Sequence, residues 1–292
     1  MKRIAFLDST FRNVCLICAG VCGVLTLTLF LQLASASGEA WQTFGWGFLI
    51  STEWDPVANV YGALPAIVGT LLTTGLALFI ALPLAFVCAL QIVDAPPVLS
   101  KILSHGIDLL AAIPSVIYGM WGLFILCPLL QEAFWLLEID TNGFGLLAAS
   151  LILALMILPY ICAVMRDVLK MTPVLLKEAA IGAGCTTWEC ARDILLRHGA
   201  KELLGGVFIG LGRALGETMA VLFVVGNVIE IPGSPLEGCT TIAATLANNF
   251  AEAEGLQQSV LFALGLILLL MAFGIQILAH CYLRKTAQKK GA

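Results

Sequence analysis

The chain has 292 residues, of which 60% are hydrophobic and only 12% charged, and its mean hydropathy is +0.99. Soluble domains carry about 25% charged residues, so a water-soluble domain is excluded and an all-α integral membrane protein is expected. The formal net charge of -4 gives no basic surface for nucleic acid.

Residues 1–13 are short and basic, with Lys2, Arg3 and Arg12. An apolar run follows from Val14 to Ala36. It ends in Ala34-Ser35-Ala36, which looks like a signal-peptidase site. Signal peptides carry apolar regions of about 7–15 residues, and this run is longer, so it reads as a retained spanning helix. Residues 37–63 form a loop rich in Trp41, Phe44, Trp46, Phe48, Trp54 and Tyr61, rings suited to the headgroup region. The second run covers Leu64–Ile92, with Pro83 expected to kink it. After a short link at 94–105, a third run extends from Ile107 to Leu130 and a fourth from Phe144 to Ala163. A polar segment, 166–201, precedes a fifth run at Leu203–Ile229 and a sixth at Leu256–Tyr282. Each is about 20 residues or more, enough to cross roughly 30 Å of hydrocarbon. The expectation is six transmembrane helices.

The ten cysteines fall mostly within these runs and read as small apolar residues, neither a disulfide frame nor a metal site. Lysine and arginine gather on the cytoplasmic side of short loops. With six spans, the N-terminus, 93–106, 166–201 and the C-terminus share one side, and they hold every Lys and Arg except Arg213. Segments 37–63, 131–143 and 230–255 hold none, only acids such as Glu39, Asp55, Glu138, Glu237 and Glu252. Both termini and the 166–201 loop are therefore expected to be cytoplasmic.

Within that loop, residues 174–184 read as a short helix ended by Gly182 or Gly184. Thr186-x-x-Glu189 is a capping box that would start a second helix, with Trp188, Ala191, Ile194 and Leu195 at helical spacing. From spacing alone this is a solvated amphipathic hairpin or a docking elbow. Glu178-Ala179-Ala180, then Gly184, then Ile194-x-Leu196 resembles the EAA signature of permease subunits of bacterial ABC importers. Arg197 stands where that pattern ends in Pro. Stretches 61–71, 111–122, 184–189 and 210–221, with Gly226-Asn227, are similar to the phosphate-importer permeases of the PstC type rather than the PstA type.

The resemblance implies a type I ABC importer permease fold. Its coupling helices, with Glu178, Ala179, Ala180, Gly184, Thr186, Trp188, Ile194 and Leu196, would meet an ATPase. It implies a sister permease (PstA type), an ATPase dimer (PstB type) and a periplasmic phosphate-binding protein (PstS type). It also implies location in the bacterial inner membrane. The expected organisation is a spanning helix and periplasmic loop at 1–63, the permease domain at 64–282 and a basic cytoplasmic tail at 283–292.

On an uninterrupted fifth helix, Gly206, Gly210, Arg213, Glu217, Ala220 and Val224 would share one face. A charge there faces protein or water, not lipid. Arg213 and Glu217 either bridge two helices structurally or line a path in which the guanidinium forks onto an oxyanion. Ser115 and Tyr118, and Asn227 as an outer gate, are further path candidates, while Thr70, Thr73 and Thr74 receive no role. No GxxxxGK[ST] loop is present. The chain is expected to be a transport subunit without enzyme activity or cofactor, with ATP–Mg in the partner. A permease for another oxyanion or a phosphonate, an ion-coupled carrier and a non-conducting scaffold are the competing readings.

Overall fold

A computed structural model describes residues 2–288, with side chains described for 11–282. Residues 289–292 of the expected basic tail lie outside the described residues. The elements are α1 (Lys2–Ala36), α2 (Gly38–Phe44), a hairpin of β1 (Trp54–Asp55) and β2 (Val60–Tyr61), α3 (Leu64–Asp94) and α4 (Pro97–Ala112). They continue as α5 (Ser115–Trp135), α6 (Leu146–Met171), α7 (Val174–Gly182) and α8 (187–198). The last are α9 (Ala200–Leu215), α10 (Met219–Leu222), α11 (Ile242–Asn249) and α12 (Gly255–Gln288).

Among the described residues, five helices are long and apolar enough to cross a membrane: Phe11–Ala36, α3, α5, α6 and Gly255–Tyr282. Two departures from the sequence reading matter. The link and third run are two helices, α4 and α5, because Pro114 forces Ile113 into extended backbone (φ -68°, ψ 128°). The fifth run is broken: α9 ends at Leu215 after 16 residues. At 1.5 Å per residue that is about 24 Å, short of the hydrocarbon core.

The bundle centres on α3 against α6. Ala77, Ala81, Ala85 and Ala89 recur every fourth residue of α3 and are fully buried. Ile152, Ile157 and Ile161 of α6 belong to the same cluster. Small side chains let backbones approach, and that close fit drives helix association in lipid. Gly206 and Gly210 let α9 lie on α6 in the same way. A Cβ added at Gly210 would sit 2.7 Å from Ile161 Cγ1.

A second cluster gathers the aromatic loop, the start of α3, α11 and α12. The loop does not simply lie on the membrane surface. Trp46 is exposed, yet Phe48 and Tyr61 are buried, and Trp54 and Phe44 meet the Tyr61 ring edge-on at 5.1 and 6.1 Å. Thr70, which the sequence left without a role, anchors α11. Its hydroxyl donates to Ala66 O (2.7 Å) and accepts from Ile242 N–H (2.9 Å), one of the amides a helix start leaves without a partner. Beside it, Gly69 lies directly under the Thr240 carbonyl, where an added Cβ would collide with backbone. Gly69→Ala is therefore expected to destabilise the chain at the upper end of the roughly 1–3 kcal/mol of overpacking. A lowered thermal midpoint of the detergent-purified protein checks this.

Candidate functional site

Arg213 lies one turn before the break in α9, exposed on this chain, with its guanidinium carbon 4.4 Å from the centre of the Tyr160 ring. The ring face attracts the cation, and a guanidinium held there by its centre still carries N–H donors for a further partner. Tyr160, which sequence reasoning missed, follows Pro159 within α6. Its hydroxyl donates to Ala111 O at 2.8 Å. Tyr118 is buried near the start of α5 and donates to Leu110 O at 2.8 Å. It is close enough to interact electrostatically with both Tyr160 and Arg213. The only sequence signal for Tyr160 was a hydroxylated ring inside an apolar run.

Glu217 is not bridged to Arg213. No ion pair among the described residues joins them. The i, i+4 geometry needed an unbroken helix, but Gly216 ends α9 and Glu217 lies beyond it. Its Oε1 instead accepts from Ala220 N–H at 3.2 Å, at the start of α10. A carboxylate at a helix N-terminus satisfies a free amide and matches the dipole. Arg213 thus keeps its positive charge unneutralised. Ser115 is half-buried at the first position of α5. Asn227 takes a left-handed backbone (φ 54°) and donates its amide to Leu222 O at 3.0 Å, so its polar group is occupied in a local turn.

The elbow forms as its local signals require. α7 ends at Gly182, and Gly184 takes φ +92°, a conformation that favours glycine. Both halves of the capping box are made: Thr186 Oγ1 accepts from Glu189 N–H (3.3 Å), and the Glu189 carboxylate accepts from Thr186 N–H (2.8 Å). Ala180, Ala191 and Leu195 are buried, and Ile194 is half-buried. Glu178, Ala179 and Leu196 face outward. Val174, Leu175 and Trp188 are 68%, 78% and 56% exposed, an apolar face with nothing over it in this chain. Arg197 is exposed at the end of α8, just before the chain turns at Gly199 into α9.

Hydrogen bonds from Thr186 hold the Glu189 carboxyl below its usual range. A depressed folded-state value stabilises above the unfolded value and is lost as pH falls through the folded one. Acidification should therefore fray the start of α8. Faster amide exchange at 187–190 below the ordinary carboxylate range is the check. Lysine and aspartate hold the elbow from the side: Lys177 of α7 pairs with Asp94, the last residue of α3. Further along, Arg166 reaches Asp167 (3.0 Å) and Asp108 of α4 (3.8 Å).

Residues 81–287 match the family described as binding-protein-dependent transport system inner membrane component. The chain is 43% identical to the phosphate transport system permease protein PstC of Haemophilus influenzae, covering 98% of this chain and 96% of that one. It is 41% identical to the protein of that name from Mesorhizobium japonicum, covering 100% and 94%. It is also similar to a chain in a solved structure of the inward-facing MetNI methionine ABC transporter. The TM-score is 0.61 at 18% identity, over 80% of this chain and 99% of that chain, a likeness of fold.

Proposed function

Because the chain belongs to the binding-protein-dependent transport system inner membrane component family, we propose that it is the permease subunit of an ATP-driven importer of inorganic phosphate. It is a multi-pass membrane subunit with a type I ABC permease fold, and it works with an ATPase and a substrate-binding protein. The specific partners in this reading are a PstA-type permease, a PstB-type ATPase dimer that holds ATP–Mg, and a PstS-type binding protein. The first listed relatives carry the matching name over nearly their whole length.

In this reading the elbow and both termini are cytoplasmic in a bacterial inner membrane, which the clustering of Lys and Arg on the elbow side supports. The loops on the other side carry acids alone and would not attract free phosphate, which suits delivery by a carrier protein.

The observation that carries the substrate assignment is Arg213: unbridged, over the Tyr160 ring, at a break in a membrane helix. A guanidinium offers a fork to two phosphate oxygens. Glu217, turned toward the start of α10, leaves that fork unopposed within this chain. The test is phosphate uptake into vesicles by the complete complex. The expected result is uptake that needs ATP and the binding protein, stops with vanadate and resists excess sulfate. Uptake driven by an ion gradient without ATP, or sulfate competing as well as phosphate, would overturn the assignment.

A further inference from the structure

Helix α4 joins the two functional places. It lies between two proline corners, Pro96-Pro97 and Ile113-Pro114, where the helix hydrogen-bond ladder is interrupted. No residue of α4 is fully buried, and half-buried Ile107 is the helix's main apolar contact with the core, so it is packed more lightly than its neighbours. It is a rod of 16 residues, about 24 Å long, with polar ties near both ends.

At the N-terminal corner stands Asp94, paired with Lys177 of the elbow helix α7. Asp94 borders a cleft of about 330 Å³ lined also by Gln91, Thr187, Trp188 and Ala191, so the end of α3 and the elbow share one wall. At the C-terminal end, the carbonyls of Leu110 and Ala111 belong to the last turn, where helix donors run short and Leu110 O keeps only a long bond of 3.3 Å from Ile113 N–H. Tyr118 and Tyr160 donate to them at 2.8 Å each. Asp108, one turn earlier, reaches Arg166 of α6. The Tyr160 ring in turn carries the Arg213 guanidinium.

We propose that α4 is a lever between the ATPase-docking elbow and Arg213, pulled at one end through Lys177–Asp94 and gripping Tyr160 at the other. The proposal rests on the reading of Arg213 as the phosphate contact. The elbow is joined covalently only at its ends, where Gly199 lies against Val168 of α6, so both attachments are close together. A body fixed at two neighbouring points turns about the line between them. Lys177–Asp94, beside the apolar contacts of Ala180, Ala191 and Leu195 with the core, directs that turn onto the α3–α4 corner. When α4 tilts, the tyrosine hydroxyls lose their carbonyl acceptors, and the ring that supports Arg213 is released with them. Tyr118 and Tyr160 are positioning residues in this scheme.

Coupling between sites is reciprocal, so the lever is read from the ATPase end. The measured quantity is the factor by which phosphate-loaded binding protein stimulates ATP hydrolysis by the complete complex in nanodiscs. Asp94→Asn removes the first tie. Tyr160→Phe removes only a hydroxyl and keeps the ring under Arg213. Each is expected to lower the stimulation factor about three- to tenfold, the worth of one hydrogen bond or ion pair. The double variant should fall no further than the worse single, since both cut one path. The exchange Asp94→Lys with Lys177→Asp should restore the factor.

An unchanged factor in either single variant of an assembled complex overturns the lever, as does a double variant whose loss is the product of the two. Arg213→Ala separates the two ideas. Normal uptake by that variant removes the site reading on which the lever depends. Abolished uptake together with unaltered stimulation in D94N and Y160F removes the lever alone.

Discussion

Arg213→Ala should reduce phosphate uptake about 100-fold or more, while the complex of this chain with its partners still assembles. Charge-assisted, bidentate contacts to an oxyanion are among the strongest available to a side chain, at about 1.5–3 kcal/mol each. Losing two removes about twice that, roughly 3–6 kcal/mol. Arg213 is exposed and makes no ion pair with Glu217, so its removal leaves no buried carboxylate stranded. Arg213→Lys keeps the charge but loses the fork and the stacking, and should retain a partial rate, about a tenth. Glu217→Gln should be mild, because a glutamine oxygen still accepts from Ala220 N–H. Radiolabelled uptake in vesicles, beside a size-exclusion profile of the complex, measures all three. Full uptake by an assembled R213A complex makes the guanidinium a purely structural group.

The second large effect is at the elbow. Leu175→Asp should abolish co-purification of the ATPase, a loss of at least about tenfold in retained partner. Leu175 is 78% exposed and Trp188 56% exposed. Covering a leucine contributes about 2 kcal/mol, and burying a carboxylate in its place costs several more. The fold loses nothing, since the side chain touches little within the chain. The thermal midpoint of the variant alone should match the parent. If ATPase retention is unaltered in L175D, this face of α7 is not the docking face.

The elbow was legible because its signals are local. The capping box needs only Thr186 and Glu189, and Gly184 supplies a left-handed turn without any neighbour within 4 Å of its added Cβ. The spans were legible because lipid forces backbone amides into helices wherever the chain is apolar. The fifth span misled for the same reason. An apolar run looks continuous whether or not its backbone is, and the break at Gly216 is sustained by the Glu217 carboxylate and by segment 223–241. That segment's backbone binds the start of α6, as in Gly145 N–H to Val224 O at 3.0 Å. The aromatic loop misled because rings suited to a headgroup layer are equally suited to a core.

What the sequence determined by itself is the class of molecule, the spans whose backbone is unbroken and the two elbow helices, because each depends on composition or on residues within one turn of each other. What the tertiary structure alone decided is the company that arginine keeps. Tyr160 is brought to Arg213 from another helix, Glu217 is turned away by a break, and α4 is set off between two proline corners. Those outcomes depend on contacts between residues far apart in the chain, and hydropathy has no information about which distant donor meets which acceptor.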